Sequence, residues 1–367
     1  MSYILSIGTA NPQTKVSQTA ISEFMVNAMG LTDYDARKLR TIFKASTIQS
    51  RYSVIDDYNQ REDFSFYPNT SDFNPFPSTK ARMSLFKECA LPLALKAIEN
   101  CLQRATEVDS MEITHLITVS CTGMYAPGLD IDIVKALHLS NSIERTSINF
   151  MGCYAAFNGM KLANAICESY KKATVLVVCL ELCSIHFQRE VTDDNLLANA
   201  LFGDGAAALL IQSKKHTGLN LKIESFFCEI ARDGEKEMAW AIGDQGFEMK
   251  LSSYVPNIIQ SGIRTLTTSL LGKINGTLND ISFFAIHPGG KRILEVIETE
   301  LGLTKEQNKF AYSVLQNFGN MSSPTVLFVL NEICRSLEQN DDNKRIMSFA
   351  FGPGLTMESM ILRIEYQ

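Results

Sequence analysis

The feature that most restricts how this chain folds is an almost entirely apolar segment running from Ala173 to Leu182. Segments at 113–121 and 281–286 are also predicted to be buried strands. A strand with one covered face alternates apolar and polar residues, whereas a continuously apolar strand is covered on both faces. The sequence therefore predicts an α/β fold, in which helices pack on each side of a sheet.

Composition and charge exclude several classes of protein. The chain has 367 residues, of which 46% are hydrophobic and 20% charged, and its net charge is −6. A negative balance gives no general attraction to nucleic acid or anionic membranes. No segment approaches the ~18–20 apolar residues of a membrane span, and residues 1–12 lack the features of a signal peptide. Nine cysteines without a CxxC pair predict neither a metal site nor disulfides, which favours a cytoplasmic protein.

A polar break at residues 213–219 divides the chain into two predicted halves, 1–213 and 214–367. No close sequence repeat is visible between them. Each half nevertheless offers strands followed by a polar residue in a loop that opens a helix. We therefore expect two halves of related architecture.

Cys153 is the candidate nucleophile of the first half. It follows Gly152 and begins a segment with helical spacing of apolar residues, and the buried strand at 113–121 precedes this region. The N–H groups and partial positive charge of a helix N-terminus favour a thiolate. A free thiol has a pKa near ~8.5, so we expect a lowered pKa at Cys153. The alternative is an inert buried cysteine.

His287 and Asn320 are the candidate partners from the second half. His287 ends a predicted buried strand and precedes Pro-Gly-Gly, and Asn320 lies just before a predicted helix. Structural roles as a core histidine and as a turn or cap residue are the alternatives. An imidazole and an amide that donate to one carbonyl oxygen form an oxyanion hole. Without a nearby carboxylate, that set suits decarboxylative carbon–carbon bond formation.

These motifs together resemble the type III polyketide synthases, the chalcone-synthase-like superfamily within the thiolase fold. The resemblance spans nearly the whole chain. Each motif alone is moderately specific, but their order and spacing are highly specific. The matching segments are 7–12, 151–153, 201–207, 286–290, 319–323 and 351–356.

The resemblance implies a five-layered αβαβα core with two pseudo-duplicated halves, assembled as a homodimer. It implies acyl-CoA loading on Cys153, malonyl-CoA decarboxylation assisted by His287 and Asn320, repeated extension and cyclisation. It implies no metal, no cofactor and no carrier-protein domain. Family positions for a gatekeeper phenylalanine, a residue beside the asparagine and the C-terminal pocket loop fall on Phe202, Ser322, Gly352 and Pro353.

The expected pocket departs from that of plant chalcone-type members. Where those enzymes place hydroxyl residues, the matching positions here are Cys121, Thr122, Cys183 and His186. Met249 replaces a second gatekeeper phenylalanine and Trp240 a pocket glycine. Because methionine is flexible, we predict an aliphatic, fatty acyl starter and products of the alkylpyrone or alkylresorcinol kind.

Basic residues at 37–51 predict a site for the phosphates of CoA. Lys38 falls on a family position, and Arg40 and Lys44 are near neighbours, with Arg51 just beyond. Thr41 and Ala45 stand where the family has cations. CoA affinity is therefore expected to be weaker, unless an acyl-carrier protein delivers the starter. A solvated helix face is the alternative reading of these charges.

Two other functions fit part of this pattern. An initiating β-ketoacyl-carrier-protein synthase shares the fold and the Cys/His/Asn set, but makes a single linear condensation. A thiolase-fold protein without catalysis would act as a scaffold. The Gly-Pro-Gly loop and the His-Pro-Gly-Gly turn favour the iterative enzyme over the first, and the complete triad argues against the second.

Overall fold

The computed structural model describes residues 1–232 and 234–367. Its strands are β1 (Tyr3–Ala10), β2 (Thr14–Ser17), β3 (Ser50–Ser53), β4 (His115–Ser120), β5 (Glu144–Asn149), β6 (Thr174–Leu182), β7 (Asp204–Gln212), β8 (Leu219–Ile230), β9 (Met238–Gly243), β10 (Gly246–Leu251), β11 (Phe283–Ile286), β12 (Arg345–Gly352) and β13 (Thr356–Tyr366). Its α-helices are α1 (Gln18–Ala28), α2 (Asp33–Ala45), α3 (Thr79–Leu102), α4 (Leu129–Ala136), α5 (Ala155–Ser169), α6 (Asp193–Leu201), α7 (Val255–Gly272), α8 (Lys291–Leu301), α9 (Lys309–Phe318) and α10 (Thr325–Ser336).

The large sheet uses one pairing pattern twice. In the first half, β1 pairs antiparallel with β7, β7 antiparallel with β6, and β6 parallel with β4, which pairs with β5. In the second half, β8 pairs antiparallel with β13, β13 antiparallel with β12, and β12 parallel with β11. A short contact of β1 with β8, at Tyr3 and Ile4, joins the two parts. The repeat that the sequence conceals is therefore plain in the topology.

Helices cover both faces of these strands and make five layers. The long helix α3 packs on the outer face of β1, β7 and β6, and α7 packs on β8 and β13. Helices α5 and α10 lie between the two parts of the sheet: α5 also reaches β13, and α10 also reaches β1 and β7. This is the αβαβα arrangement that the sequence analysis predicted.

Alternate residues of β6 show why that strand is apolar throughout. Its side chains at positions 175, 177 and 179 belong to the core around α5 and α10, and those at 176, 178 and 180 to the core under α3. Every residue of β6 is buried. Because both faces of the strand are covered, its residues do not alternate between apolar and polar.

Candidate active site between the two halves

Cys153 lies on a tight turn between β5 and α5 and is buried. Gly152 has φ +78°, and a Cβ at this position would lie 2.1 Å from the Cδ atom of Pro353. Only glycine therefore lets the turn pass so close to the loop that follows β12. The strand expected at 113–121 precedes this region as β4, and β5, which the sequence analysis did not predict, leads directly into the turn.

Asn320 presents its amide to the sulfur of Cys153. Both amide atoms lie near Sγ, Nδ2 at 4.0 Å and Oδ1 at 3.9 Å. Oδ1 already accepts hydrogen bonds from the backbone N–H of Ser322 at 2.8 Å and the Thr325 hydroxyl at 3.4 Å. Nδ2 also lies 3.3 Å from the carbonyl oxygen of Gly289. The amide is thus oriented with its N–H donors beside the thiol.

His287 follows β11, and its backbone N–H donates to the carbonyl oxygen of Phe349 at 2.8 Å. The side chain is buried, and neither ring nitrogen has a hydrogen-bond partner within 1–232 and 234–367. A buried polar group without a partner is costly. The imidazole therefore has both nitrogens available for a substrate in this cavity.

One cavity collects the three residues. Of the substrate-binding residues expected from sequence, His186 and Gly352 are not among those that line it, although Gly352 packs against Tyr154 just behind Cys153. The expected residues that do line it are Cys153, His287, Asn320, Cys121, Thr122, Cys183, Phe202, Trp240, Met249, Ser322 and Pro353. Gly289 and Phe351, from the matching segments 286–290 and 351–356, also line it, as do Met238, Leu251 and Ile293, which the sequence analysis did not single out.

Burial sets the protonation of the cysteine and the histidine. It raises the pKa of the Cys153 thiol to about 12, and hydrogen bonding with Ser322 and Asn320 only partly opposes that rise. Burial also lowers the pKa of His287 to about 3. Both shifts favour the neutral forms at pH 7, which runs against the thiolate that the helix N-terminus is expected to favour. The thiol proton has to move as the sulfur reacts.

Glu181 is a buried carboxyl beneath the cavity that sequence reasoning missed. Its oxygens accept hydrogen bonds from the backbone N–H of Cys121 at 2.9 Å, the Thr122 hydroxyl at 2.7 Å and the Ser323 hydroxyl at 2.7 Å. It therefore joins the loop after β4 to the loop that carries Asn320. Burial raises its pKa to about 7. Glu181 is the single charged residue of the apolar strand β6, and this could have marked it in the sequence as a residue with a special role.

Strands β9 and β10 form a hairpin that walls the cavity. Trp240 and Met249 face each other across the hairpin, and both line the cavity. The indole N–H of Trp240 donates to the carbonyl oxygen of Cys121 at 2.8 Å. The two residues that the sequence analysis places at a second gatekeeper position and at a pocket glycine position are therefore one cross-strand pair.

His186 lies behind this wall and lines a second chamber. Its ring stacks on Phe247 with centroids 4.3 Å apart, and its Nδ1 accepts from the Phe247 backbone N–H at 2.9 Å. Nε2 then carries the hydrogen and donates to the carbonyl oxygen of Thr122 at 2.6 Å. The second chamber shares four lining residues with the first cavity: Cys183, Phe202, Trp240 and Met249.

The basic residues at 37–51 have different surroundings. On α2, Lys38 pairs with Asp193 at 2.5 Å and Arg40 with Glu23 at 2.7 Å, while Lys44 lies in the last turn. Helix α2 packs against α6, which ends beside Phe202. Arg51, just beyond this helix, is only 3% exposed and therefore lies inside the protein.

Comparisons with known proteins agree with this architecture. Residues 1–215 match the N-terminal domain of chalcone and stilbene synthases, and residues 222–365 match the C-terminal domain. The alpha-pyrone synthesis polyketide synthase-like Pks18 of Mycobacterium tuberculosis is 32% identical, over 99% of this chain and 91% of its own length.

Two solved structures superimpose closely. PKS-I of the brown alga Ectocarpus siliculosus has a TM-score of 0.91 and 31% identity, with 99% of this chain and 98% of that one covered. The type III polyketide synthase domain of Steely1 from Dictyostelium has a TM-score of 0.90 and 28% identity, with 99% of each chain covered.

The chain belongs to the chalcone and stilbene synthase family. It is a type III polyketide synthase with a thiolase-like fold, a condensing acyltransferase class that uses CoA thioesters. Within residues 1–232 and 234–367, no helix is long and apolar enough to cross a membrane.

Proposed function

We propose that this synthase extends an aliphatic acyl starter with malonyl units and closes an alkylpyrone or alkylresorcinol. The observation that carries the proposal is the apolar space around Cys153. Methionine, leucine and isoleucine side chains line the cavity, and the chamber behind Phe202 and Met249 adds Ile21, Met25 and Phe187. The relative Pks18, whose name refers to alpha-pyrone synthesis, supports the product class.

We assign the loading step to Cys153 and His287. As the sulfur attacks the starter thioester, its proton passes to the neutral imidazole. The carbon–sulfur bond to CoA then breaks, and the leaving CoA sulfur takes that proton. This order fits two groups that are both neutral before substrate arrives. A general base beside the nucleophile is the usual device for such a thiol.

We assign malonyl decarboxylation to His287 and Asn320. The carbon–carbon bond to the carboxylate breaks and carbon dioxide leaves. The electron pair of that bond stays with the malonyl carbon and delocalises onto the thioester oxygen, which gives an enolate. The amide N–H of Asn320 and a ring N–H of His287 donate to that oxygen. Each oxyanion donor is worth about 2.7–4 kcal/mol. The enolate carbon then attacks the acyl group on Cys153, whose sulfur is the leaving group.

Three variants separate the two steps. Cys153→Ala is expected to lose starter loading, measured by intact-protein mass spectrometry, while it still converts malonyl-CoA to acetyl-CoA. His287→Ala is expected to impair both reactions. Cys167→Ala, which removes another buried thiol of α5, is the control and should load starter normally. Full condensation by Cys153→Ala would overturn the assignment of the nucleophile.

A panel of starters tests the substrate class. Purified enzyme is offered fatty acyl-CoA of increasing chain length and coumaroyl-CoA, and products are identified by mass. We expect fatty acyl starters to be used faster and the products to contain rings built from several malonyl units. Faster use of coumaroyl-CoA would contradict the starter. A linear product with one added unit would contradict cyclisation and favour the single-condensation alternative.

We also propose a homodimer, as is typical of the family, and β5 is the candidate edge. Within the described residues it pairs with β4 alone, and most of its side chains are exposed. An unpaired strand edge offers backbone hydrogen bonds to a second copy. Light scattering should give twice the chain mass of 40.9 kDa. A monomeric mass at micromolar concentration would reject the dimer.

A further inference from the structure

Arg51 is a buried cation at the meeting point of the two halves. Its Nη1 donates to the backbone carbonyl oxygen of Phe202, and its Nε donates to Oε1 of Gln18 at 2.9 Å. Gln18 in turn donates to the carbonyl oxygen of Ala200 at 2.7 Å. Arg51 and Gln18 thus hold the end of α6 and the residue that follows it.

That segment is bonded directly to the loop of Asn320. The backbone N–H of Asn320 donates to Leu201 at 2.9 Å, and the N–H of Gly203 donates to the carbonyl oxygen of Asn320 at 2.9 Å. Phe202 and Asn320 therefore form an isolated parallel bridge. One residue of this bridge walls the cavity, and the other presents the amide beside Cys153.

The stem of Arg51 also packs against both sides of the bridge. A Cβ added at Gly319 would lie 2.8 Å from Cγ and Cδ of Arg51, and one at Gly203 would lie 3.3 Å from its Cβ. The two glycines leave the room that the arginine fills. The guanidinium lies over the ring of Phe43, with 5.5 Å between its carbon and the ring centroid. The side chain is therefore fixed from several directions.

We propose that Arg51 is a positioning residue, which holds the Phe202–Asn320 bridge so that the Asn320 amide stays in place for malonyl decarboxylation. This inference rests on the proposed function of Asn320. A planar guanidinium serves the Phe202 carbonyl and Gln18 together, whereas a lysine ammonium lacks the fork geometry that does so. Small displacements of a catalytic donor are costly, since about 1 Å can lower a rate by about 100-fold.

The test compares two reactions of the same enzyme. In Arg51→Lys, we expect the kcat of malonyl-CoA decarboxylation to fall by about tenfold or more. Alkylation of Cys153 by iodoacetamide at pH 9 should fall by a smaller factor, because burial has a larger effect on the pKa of that thiol than the Asn320 amide has. An equal loss in both reactions, or no loss in either, would overturn the proposal.

Arg104→Lys is the matched control. Arg104 also joins the two halves, because it donates to the carbonyl oxygen of Ile7 at 2.7 Å and to the side chain of Asn331. It lines a separate surface groove, not the cavity. This variant is expected to keep the wild-type ratio of the two rates. A ratio shifted as far as that of Arg51→Lys would mean that any loosening between the halves suffices.

Gln18 supplies a second, milder test that leaves Arg51 itself in place. Gln18→Met removes the acceptor for Arg51 and the donor to the Ala200 carbonyl oxygen, and it should lower decarboxylation more than Cys153 alkylation. Unchanged decarboxylation in a folded Gln18→Met protein contradicts the proposal. Wild-type enzyme that loads a starter but releases no carbon dioxide from malonyl-CoA would instead reject the proposed function of Asn320.

Discussion

Two buried carboxyls lie beneath the cavity, and each holds a segment that bears pocket residues. Asp204 accepts hydrogen bonds from the backbone N–H groups of Ser184 and Val54, at 2.7 and 2.8 Å. Glu181 similarly holds the Cys121–Thr122 segment and Ser323. Burial raises the pKa of both, to about 6 for Asp204 and about 7 for Glu181. Ionisation of these buried carboxyls therefore lowers the free energy of unfolding as the pH rises.

Glu181→Gln should reveal that effect. The folded pKa of Glu181 is about 7 against 4.5 for the ordinary carboxyl, so its stabilising contribution is fully present below pH 4.5 and is lost as pH rises through 7. At about 1.4 kcal/mol per pKa unit, wild type should lose about 3 kcal/mol relative to the variant between pH 4.5 and 7.5. Urea unfolding across this range measures it, and a constant difference between the two proteins contradicts it.

The pH dependence of Cys153 alkylation tests the neutral pair. With a thiol pKa of about 12 and a His287 pKa of about 3, the thiolate fraction should rise about tenfold per pH unit between pH 6 and 9. His287→Ala should leave the shape of this profile unchanged, because the imidazole has no proton to lose in this range. A fast, flat profile that disappears in His287→Ala would instead reveal a thiolate–imidazolium pair.

At the scale of elements, sequence patterns identified the segments whose buried faces show as a run or a periodic spacing of apolar residues. The apolar segments predicted at 113–121, 173–182 and 281–286 contain β4, β6 and β11. The strand β5 was missed because it lies at an exposed edge and is polar, so it has no apolar periodicity to detect. The hairpin β9–β10 was missed for a similar reason, because its strands are short and partly exposed.

In the candidate site, too, some features could be predicted from local sequence and others could not. The three chemical residues were recognisable from their local contexts and from the resemblance to a family. The contacts that orient them were not, because they join distant parts of the chain. The bridge between Phe202 and Asn320, and the hydrogen bonds of Glu181 and Arg51, depend on how the halves pack. No local pattern carries that information.

The turn that carries Cys153 gives a prediction at this scale. Gly152→Ala would place a Cβ 2.1 Å from a ring atom of Pro353, in addition to the strain of alanine at φ +78°. We expect a loss of starter loading and of stability. Gly302→Ala is the control: φ there is +68° with no atom within 4 Å of the added Cβ, so it bears the strain alone, about 1–2 kcal/mol.

Thermal unfolding and intact-protein mass spectrometry measure the two effects together. Gly152→Ala should be less stable than Gly302→Ala by more than about 1 kcal/mol, because ring atoms or backbone must move to relieve the contact. Gly302→Ala should load starter as wild type does. Equal stability of the two variants would show that the loop after β12 gives way freely, and that the close approach at Gly152 is unimportant.

At the scale of the whole molecule, the candidate site exists only because two similar halves pack against each other. Cys153 comes from the first half, and His287 and Asn320 come from the second. Much of the contact between halves is apolar and runs through α5 and α10. One ion pair also crosses it, between Lys161 of α5 and Glu358 of β13, at 2.5 Å. The side chain of Glu358 is 4% exposed, so its charge depends on this partner.

Lys161→Met should therefore destabilise the whole chain, because it leaves a buried carboxylate without its cation. We expect a loss of about 2–3 kcal/mol in urea unfolding, less than the ~3–5 of a fully buried pair because Lys161 is partly exposed. Adding Glu358→Gln should recover most of that loss, since no buried charge then remains. Lys96→Met, which breaks an exposed pair with Glu99, should cost less than about 1 kcal/mol. If the two lysine variants cost the same, the pair between the halves contributes no more than a surface one.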